Sequence, residues 1–225
     1  MSMAIWTDFG GVLTPPVAES VAGFCRDTRL QPAVFQEAMR AVARRHGVSD
    51  PMAPLDTPLI DQVTWEQQMA AAVKARTGDI VDLSDFPRRW FADRPVNDTW
   101  IAQLRAWRRD GRFIGLLSNM PPAWDAHWRR MVAPDGLFDD VVLSFQVACR
   151  KPEPAMFALA ARRAGLDPAQ CVLVDDLPAN CAGAVAAGWR SVCFTDARSA
   201  SAAIADLDAQ TTGAPSAPRP SEARS

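Results

Sequence analysis

Histidine and lysine are almost missing from this chain of 225 residues: two histidines, His46 and His127, and two lysines, Lys74 and Lys151. The five cysteines (Cys25, Cys149, Cys171, Cys181 and Cys193) are scattered, odd in number and never spaced as CxxC. With so few histidines beside them they argue against a zinc site and against a disulfide framework; buried or half-buried thiols of a cytoplasmic protein are expected. No apolar run approaches the roughly 18 residues that a membrane-spanning helix needs. No basic segment precedes Asp8, so no signal peptide is expected either. A formal net charge of −2 offers no basic field for nucleic acid or for an acidic membrane surface. The other 22 of the 24 basic residues are arginine, so each lysine stands out.

What is present is a rhythm. Short runs rich in Val, Ile, Leu or Phe recur at 3–7 (MAIWT), 112–118 (RFIGLLS), 140–145 (DVVLSF), 171–176 (CVLVDD) and 190–196 (RSVCFTD). Each is too short for a helix and apolar on both faces, as central parallel strands are. Helical patterns separate them at 97–111, 121–131, 153–165 and 178–188, stopped by Gly111, Gly165 and Gly188 or opened by prolines. Strand–helix alternation over 97–196 predicts an α/β fold, a doubly wound parallel-sheet Rossmann-like core. Residues 15–95 break the rhythm with amphipathic helices and read as an inserted helical cap. Within it Thr64 and Gln67 form a capping-box pattern, and the proline-rich stretch 51–58 reads as a loop. The division is therefore 1–14 and 96–200 for the catalytic core and 15–95 for the cap; a Pro/Ser/Ala-rich tail, 209–225, is expected to be disordered.

Chemistry collects at the strand ends, where open parallel sheets bind ligands. The first strand ends at Asp8, the second at Ser118-Asn119, and the fourth at Asp175-Asp176; Lys151 follows the third. A lone Asp or Ser-Asn after a strand is ordinarily a turn or helix cap. All four in order are more specific, because they bring three carboxylates against one lysine. Carboxylates packed that closely raise one another's pKa unless a cation balances them, and an all-oxygen cluster suits Mg²⁺. Amides of Phe9 and Gly10, those after Ser118, the Ser118 hydroxyl and Lys151 then suit a phosphate. Asp8 could attack phosphorus, with the charge spread over the transition state offset by Lys151. Lysine where the chain otherwise writes arginine suits a crowded site; Arg150 beside it is expected to point elsewhere.

The order TDFGGVLT, LLSNM, RKPEPAMF and VLVDDLPAN resembles the haloacid dehalogenase (HAD)-like hydrolase superfamily over roughly residues 3–196. It is most similar to the subgroup with a small helical cap that includes the phosphatase domain of soluble epoxide hydrolases and bacterial sugar-phosphate phosphatases. The resemblance implies Asp8 as nucleophile and Mg²⁺ ligand, Ser118 as the phosphoryl-binding hydroxyl with Asn119 beside it, and Lys151 as the motif lysine. It implies Asp176 as direct Mg²⁺ ligand, Asp175 as a second acidic partner, and Asn180 as a supporting polar residue. One position departs. The family's phosphatases usually read D-x-D, the second Asp serving as general acid and base; Gly10 stands there, keeping the carbonyl for Mg²⁺ and losing the proton donor. General acid–base help is worth about 10²–10⁴ in rate.

The expected activity is Mg²⁺-dependent hydrolysis of a small phosphorylated metabolite through an aspartyl-phosphate on Asp8. A metal-independent 2-haloacid dehalogenase is the first alternative, since halide leaves without a proton, although Asp175 and Asp176 would repel an unbalanced Asp8. A non-catalytic phosphate-binding module is the second. Arg44, Arg45, His46, Trp65 and Gln68 of the cap, and Trp124, His127 and Trp128 after the second motif, are candidate substrate contacts by residue type alone.

Overall fold

The structure, a computed structural model, describes residues 3–212. In chain order, β1 is Ala4–Thr7, followed by five helices: α1 (Val17–Thr28), α2 (Pro32–Arg45), α3 (Ala53–Asp56), α4 (Gln62–Thr77) and α5 (Phe86–Phe91). The alternation then begins: α6 (Asp98–Arg109), β2 (Ile114–Ser118), α7 (Asp125–Val132), β3 (Asp140–Leu143), α8 (Ser144–Val147), α9 (Pro154–Ala164), β4 (Cys171–Asp175), α10 (Pro178–Ala186), β5 (Arg190–Cys193) and α11 (Ala197–Thr212).

The five strands form one parallel sheet in the order β3-β2-β1-β4-β5. The order reverses beside β1, so the chain leaves the sheet in both directions from its centre, where a doubly wound sheet opens a crevice. Alternation along the strands explains why both faces are apolar. Ile5, Ile114, Leu116, Val172 and Val174 pack with Trp100, Leu104 and Trp128 on one face. Trp6, Leu117 and Leu173 pack with Phe157, Ala160, Ala184 and Trp189 on the other. Trp6 fits across the sheet because its neighbour is Gly115: a Cβ there would lie 2.3 Å from the indole.

Three sequence expectations are corrected. Helix α4 begins earlier than the Thr64–Gln67 pattern implied, because Asp61 caps it by accepting from the Thr64 amide at 2.7 Å. The stretch 51–58 holds the short helix α3, folded because its apolar residues Ala53 and Leu55 are buried among the other inserted helices. Helix α11 runs through residues 209–212, inside the stretch whose composition predicts disorder; Ala197, Ala200 and Ile204 bury one face of it against the core. The remainder of that tail lies outside the described residues. All five cysteines are free, and Cys193 is exposed rather than buried. No helix among the described residues is long and apolar enough to cross a membrane.

The two crossings between the sheet and the five-helix segment are tied to each other. Asn97, which caps α6, donates from its backbone to Leu13 O (2.8 Å) and from its side chain to Val12 O (3.0 Å). Both ends of the inserted segment are thus anchored beside the loop that follows β1. Aromatic packing closes the rest: Trp90 and Phe91 of α5 lie 5.6 and 5.5 Å from the Trp124 ring.

Candidate active site

Asp8 continues the β1 ladder by one residue: its amide donates to Val174 O at 2.9 Å, so the sheet itself aims its side chain. The chain then turns sharply, with the amides of Leu13 and Thr14 donating back to Phe9 O. Gly11 makes that turn possible. It sits at φ +78°, and a Cβ on it would lie 2.0 Å from Asp176 Oδ2. Gly11 is therefore required by the carboxylate that follows β4. Gly10 is under no such constraint: a Cβ there would meet only Val17 Cγ2, at 3.4 Å.

Lys151 is fully buried and donates from Nζ to Asp8 Oδ1 at 2.8 Å and to Asp175 Oδ2. Burial opposes its charge, but Asp175 and Asp8 together outweigh burial and hold it protonated above the ordinary lysine range. Asp8 is raised, chiefly by burial, with Asp175 adding to the shift and Lys151 opposing it. Lys151 is itself placed by Asn119, whose side chain bridges its backbone: Oδ1 accepts from the Lys151 amide (2.8 Å) and Nδ2 donates to its carbonyl (2.9 Å). The Asn119 side chain, expected to bind phosphate, is committed to that clamp. Behind Lys151, helix α10 packs against Pro152 so closely that a Cβ on Gly183 would lie 2.8 Å from the Pro152 carbonyl oxygen.

The paired acids of β4 have different surroundings. Asp175 is fully buried, and its oxygens accept from Lys151, from the Leu177 amide (2.9 Å) and from Asn180 Nδ2 (3.0 and 3.1 Å). It holds Lys151, and Asn180, which the family resemblance makes a supporting residue, donates to it. Asp176 is half-buried beside the cavity, and burial, then Asp8, then Asp175 push it up to about 7. Ligand oxygens of Asp8, Asp175 and Asp176 lie within 4.8 Å of one another. Three carboxylates against one lysine leave uncompensated negative charge, and the donors are all hard oxygens. That set fits Mg²⁺, with Asp8, Asp176 and the Gly10 carbonyl as the donors less engaged elsewhere.

These groups open on a cavity of about 240 Å³ between the strand ends and the inserted helices. Asp8, Phe9, Gly10, Ser118, Asn119, Lys151, Asp176 and Asn180 line it on the sheet side. Phe35, Trp65, Phe86 and Trp90 line it from the insert, and Trp124 from the core. Of the substrate-contact candidates, Trp65 and Trp124 reach it. Arg44 pairs instead with Glu37 (2.8 Å), His46 bonds Gln68 (2.9 Å), and His127 stacks on Phe91. Arg45 is exposed, and Trp128 is buried against Phe9. Arg150 is the reverse case. It lines the cavity rather than pointing elsewhere, pairing with Asp50 (3.1 Å) and Asp56 (2.9 Å) of the insert. Asp56 is buried and lifted to about 6, burial outweighing Arg150. Arg94 is a further lining residue that the sequence reading passed over. It sits in a polar stretch before Pro95 with no periodicity to mark it.

Residues 3–188 match the haloacid dehalogenase-like hydrolase family. The chain belongs to that family. Comparison with curated proteins returns no match. Among solved structures, a HAD family enzyme, BT-2542 from Bacteroides thetaiotaomicron, in complex with magnesium and inorganic phosphate, is 19% identical with a TM-score of 0.64, covering 87% of this chain and 95% of its own. The L-2-haloacid dehalogenase RSc1362 is 18% identical with a TM-score of 0.65, covering 92% and 100%. The L-2-haloacid dehalogenase from Xanthobacter autotrophicus is 18% identical with a TM-score of 0.61, covering 85% and 76%. At these identities the shared property is the fold. HAD folds of this shape thus include proteins named for dehalogenation and one holding magnesium and phosphate.

Proposed function

We propose that this HAD-like hydrolase is a Mg²⁺-dependent phosphomonoesterase acting on a small phosphorylated metabolite, with Asp8 as nucleophile. The observation that carries the reading is Asp176. It stands beside Asp8 with its charge disfavoured, in a cluster whose one lysine is already shared by Asp8 and Asp175. A carboxylate in that position repels the nucleophile unless a cation sits between them. Bound there, Mg²⁺ supplies the positive charge that lets an anionic nucleophile approach an anionic phosphoryl group.

This chain's residues do the rest. Lys151 holds one oxygen of Asp8 and leaves the other for attack on phosphorus. Ser118, buried at the end of β2, and the amides of the loop after Asp8 bind the phosphoryl oxygens. Attack forms the aspartyl-phosphate as the bond from phosphorus to the leaving oxygen breaks. Water then cleaves the acyl phosphate, releasing phosphate and regenerating Asp8. The leaving oxygen takes its proton from water or from the substrate itself, because Gly10 cannot provide it. The inserted helices exclude bulk water from this exchange and read the remainder of the substrate.

Metal-independent 2-haloacid dehalogenation is the second reading, favoured by Gly10, since a departing halide needs no proton. A pocket that binds phosphate without turnover is a third. One assay separates them: phosphate release from sugar, nucleotide and acid phosphates, with Mg²⁺ or chelator, in the wild type and Asp8→Asn. Release that needs both Mg²⁺ and Asp8 is expected. Halide release from 2-haloacids that survives chelator would replace this reading with the dehalogenase, and phosphate binding with no turnover of any substrate would replace it with the binding module.

A further inference from the structure

Three cations line the cavity: Arg94, Arg150 and Lys151. Lys151 is paired with Asp8 and Asp175, and Arg150 with Asp50 and Asp56. The Arg94 side chain has no ion pair or hydrogen bond among the described residues, and its Nε and Nη2 are buried without a partner. Its guanidinium is held by aromatic faces instead, 5.3 Å from the Trp90 ring centre, 5.9 Å from Phe9 and 6.0 Å from Phe91. Those contacts fix its position, yet they satisfy none of its N–H groups. Burial accordingly lowers its pKa to about 10. The indole N–H groups of Trp65, Trp90 and Trp124, all from the cavity lining, are buried without partners as well. The aromatic part of the lining therefore carries an excess of donors on an apolar surface.

A buried donor without an acceptor is costly, and a buried guanidinium without an anion more so. We propose that Arg94 is a specificity-determining residue that receives a carboxylate carried by the substrate, whose apolar body lies among Trp65, Phe86, Trp90 and Trp124 while its reacting group faces Asp8. A planar fork matches a carboxylate in two parallel hydrogen bonds, which lysine cannot reproduce. The cavity volume of about 240 Å³ limits the ligand to a compact one. The substrate class is thus a small carboxylic acid with an apolar or aromatic body, a refinement that rests on the phosphatase reading for its phosphoryl group and on the cavity's donor excess for its carboxylate.

The test has two arms. In the first, benzoate and phenylacetate are titrated against metal-free wild type, Arg94→Met and Arg94→Lys, followed by tryptophan fluorescence; folding of each variant is checked by urea denaturation. Binding to the wild type, weakened at least about tenfold in Arg94→Met and less in Arg94→Lys, is expected. In the second, kcat/KM is compared for phenyl phosphate and carboxyphenyl phosphate with Mg²⁺. The wild type should favour the carboxylated member, and the preference should fall at least about tenfold in Arg94→Met. Equal losses on both phosphates, or arylcarboxylate affinity indifferent to position 94, would overturn the assignment. The first arm needs no turnover, so carboxylate binding through Arg94 without phosphate release would leave the inference standing and remove the phosphatase reading. Arg94-dependent binding of 2-haloacids followed by halide release would do the same in favour of the dehalogenase.

Discussion

At Gly11 the chain has room for no other residue, whereas at Gly10 it does, and the difference bears on the missing proton donor. The D-x-D position is not glycine for lack of space: its Cβ would touch only Val17 Cγ2 at 3.4 Å, and its φ lies outside the left-handed region. Gly10→Asp should therefore fold. If the activity is phosphomonoester hydrolysis limited by the proton, it should raise kcat for alkyl phosphates with poor leaving groups by about 10²-fold, the low end of general acid–base help. Stopped-flow or steady-state phosphate release measures this, and an unchanged kcat would show that Gly10 is not the limiting defect. At this scale the sequence was most informative where a residue sits at a strand end. Asp8, Ser118, Lys151, Asp175 and Asp176 could be found because a parallel sheet delivers its carboxyl ends to one place. It was silent on Arg94 and Asp56, and it directed Arg150 away from the cavity that Arg150 lines. Their placement is decided where the insert meets the core, and no periodicity along the chain reports on that meeting.

Among elements, α6 and its cap join the two crossings. Asn97 accepts from the Trp100 amide at 3.1 Å to cap α6, and it donates to Val12 O on the first crossing. Asn97→Ala removes both and should cost about 1–2 kcal/mol in urea denaturation. Asn97→Asp keeps the cap acceptor and loses the donor, so it should cost less; equal costs would mean that the cap carries nothing and the tie to Val12 the whole loss. Strands and core helices were legible to within a few residues because their apolar runs and glycine stops are local signals. Helix α11 and the start of α4 were not. The one is held by Ala197, Ala200 and Ile204, small and sparse apolar residues that mimic tail composition. The other is set by Asp61, a cap residue outside the helical pattern it begins.

The whole molecule is a doubly wound sheet whose centre presents Asp8, closed over by aromatic helices that are tied down at both ends. Core and insert meet through ion pairs of Arg150 with Asp50 and Asp56 and through a hydrogen bond from Ser144 Oγ to Asp56 O (2.6 Å), so the cavity is walled by both. Carboxylates, Arg94 and indoles all line it. The most direct test of the central claim is to look for the phosphoryl group on Asp8. The protein is incubated with acetyl phosphate, with Mg²⁺ or with chelator, quenched in acid, and the peptide carrying Asp8 is weighed by mass spectrometry. With no general base at Gly10 to hasten its hydrolysis, the acyl phosphate should accumulate on Asp8 when Mg²⁺ is present and be absent with chelator and in Asp8→Asn. An unmodified Asp8 peptide from protein that is releasing phosphate from that same donor would contradict the account.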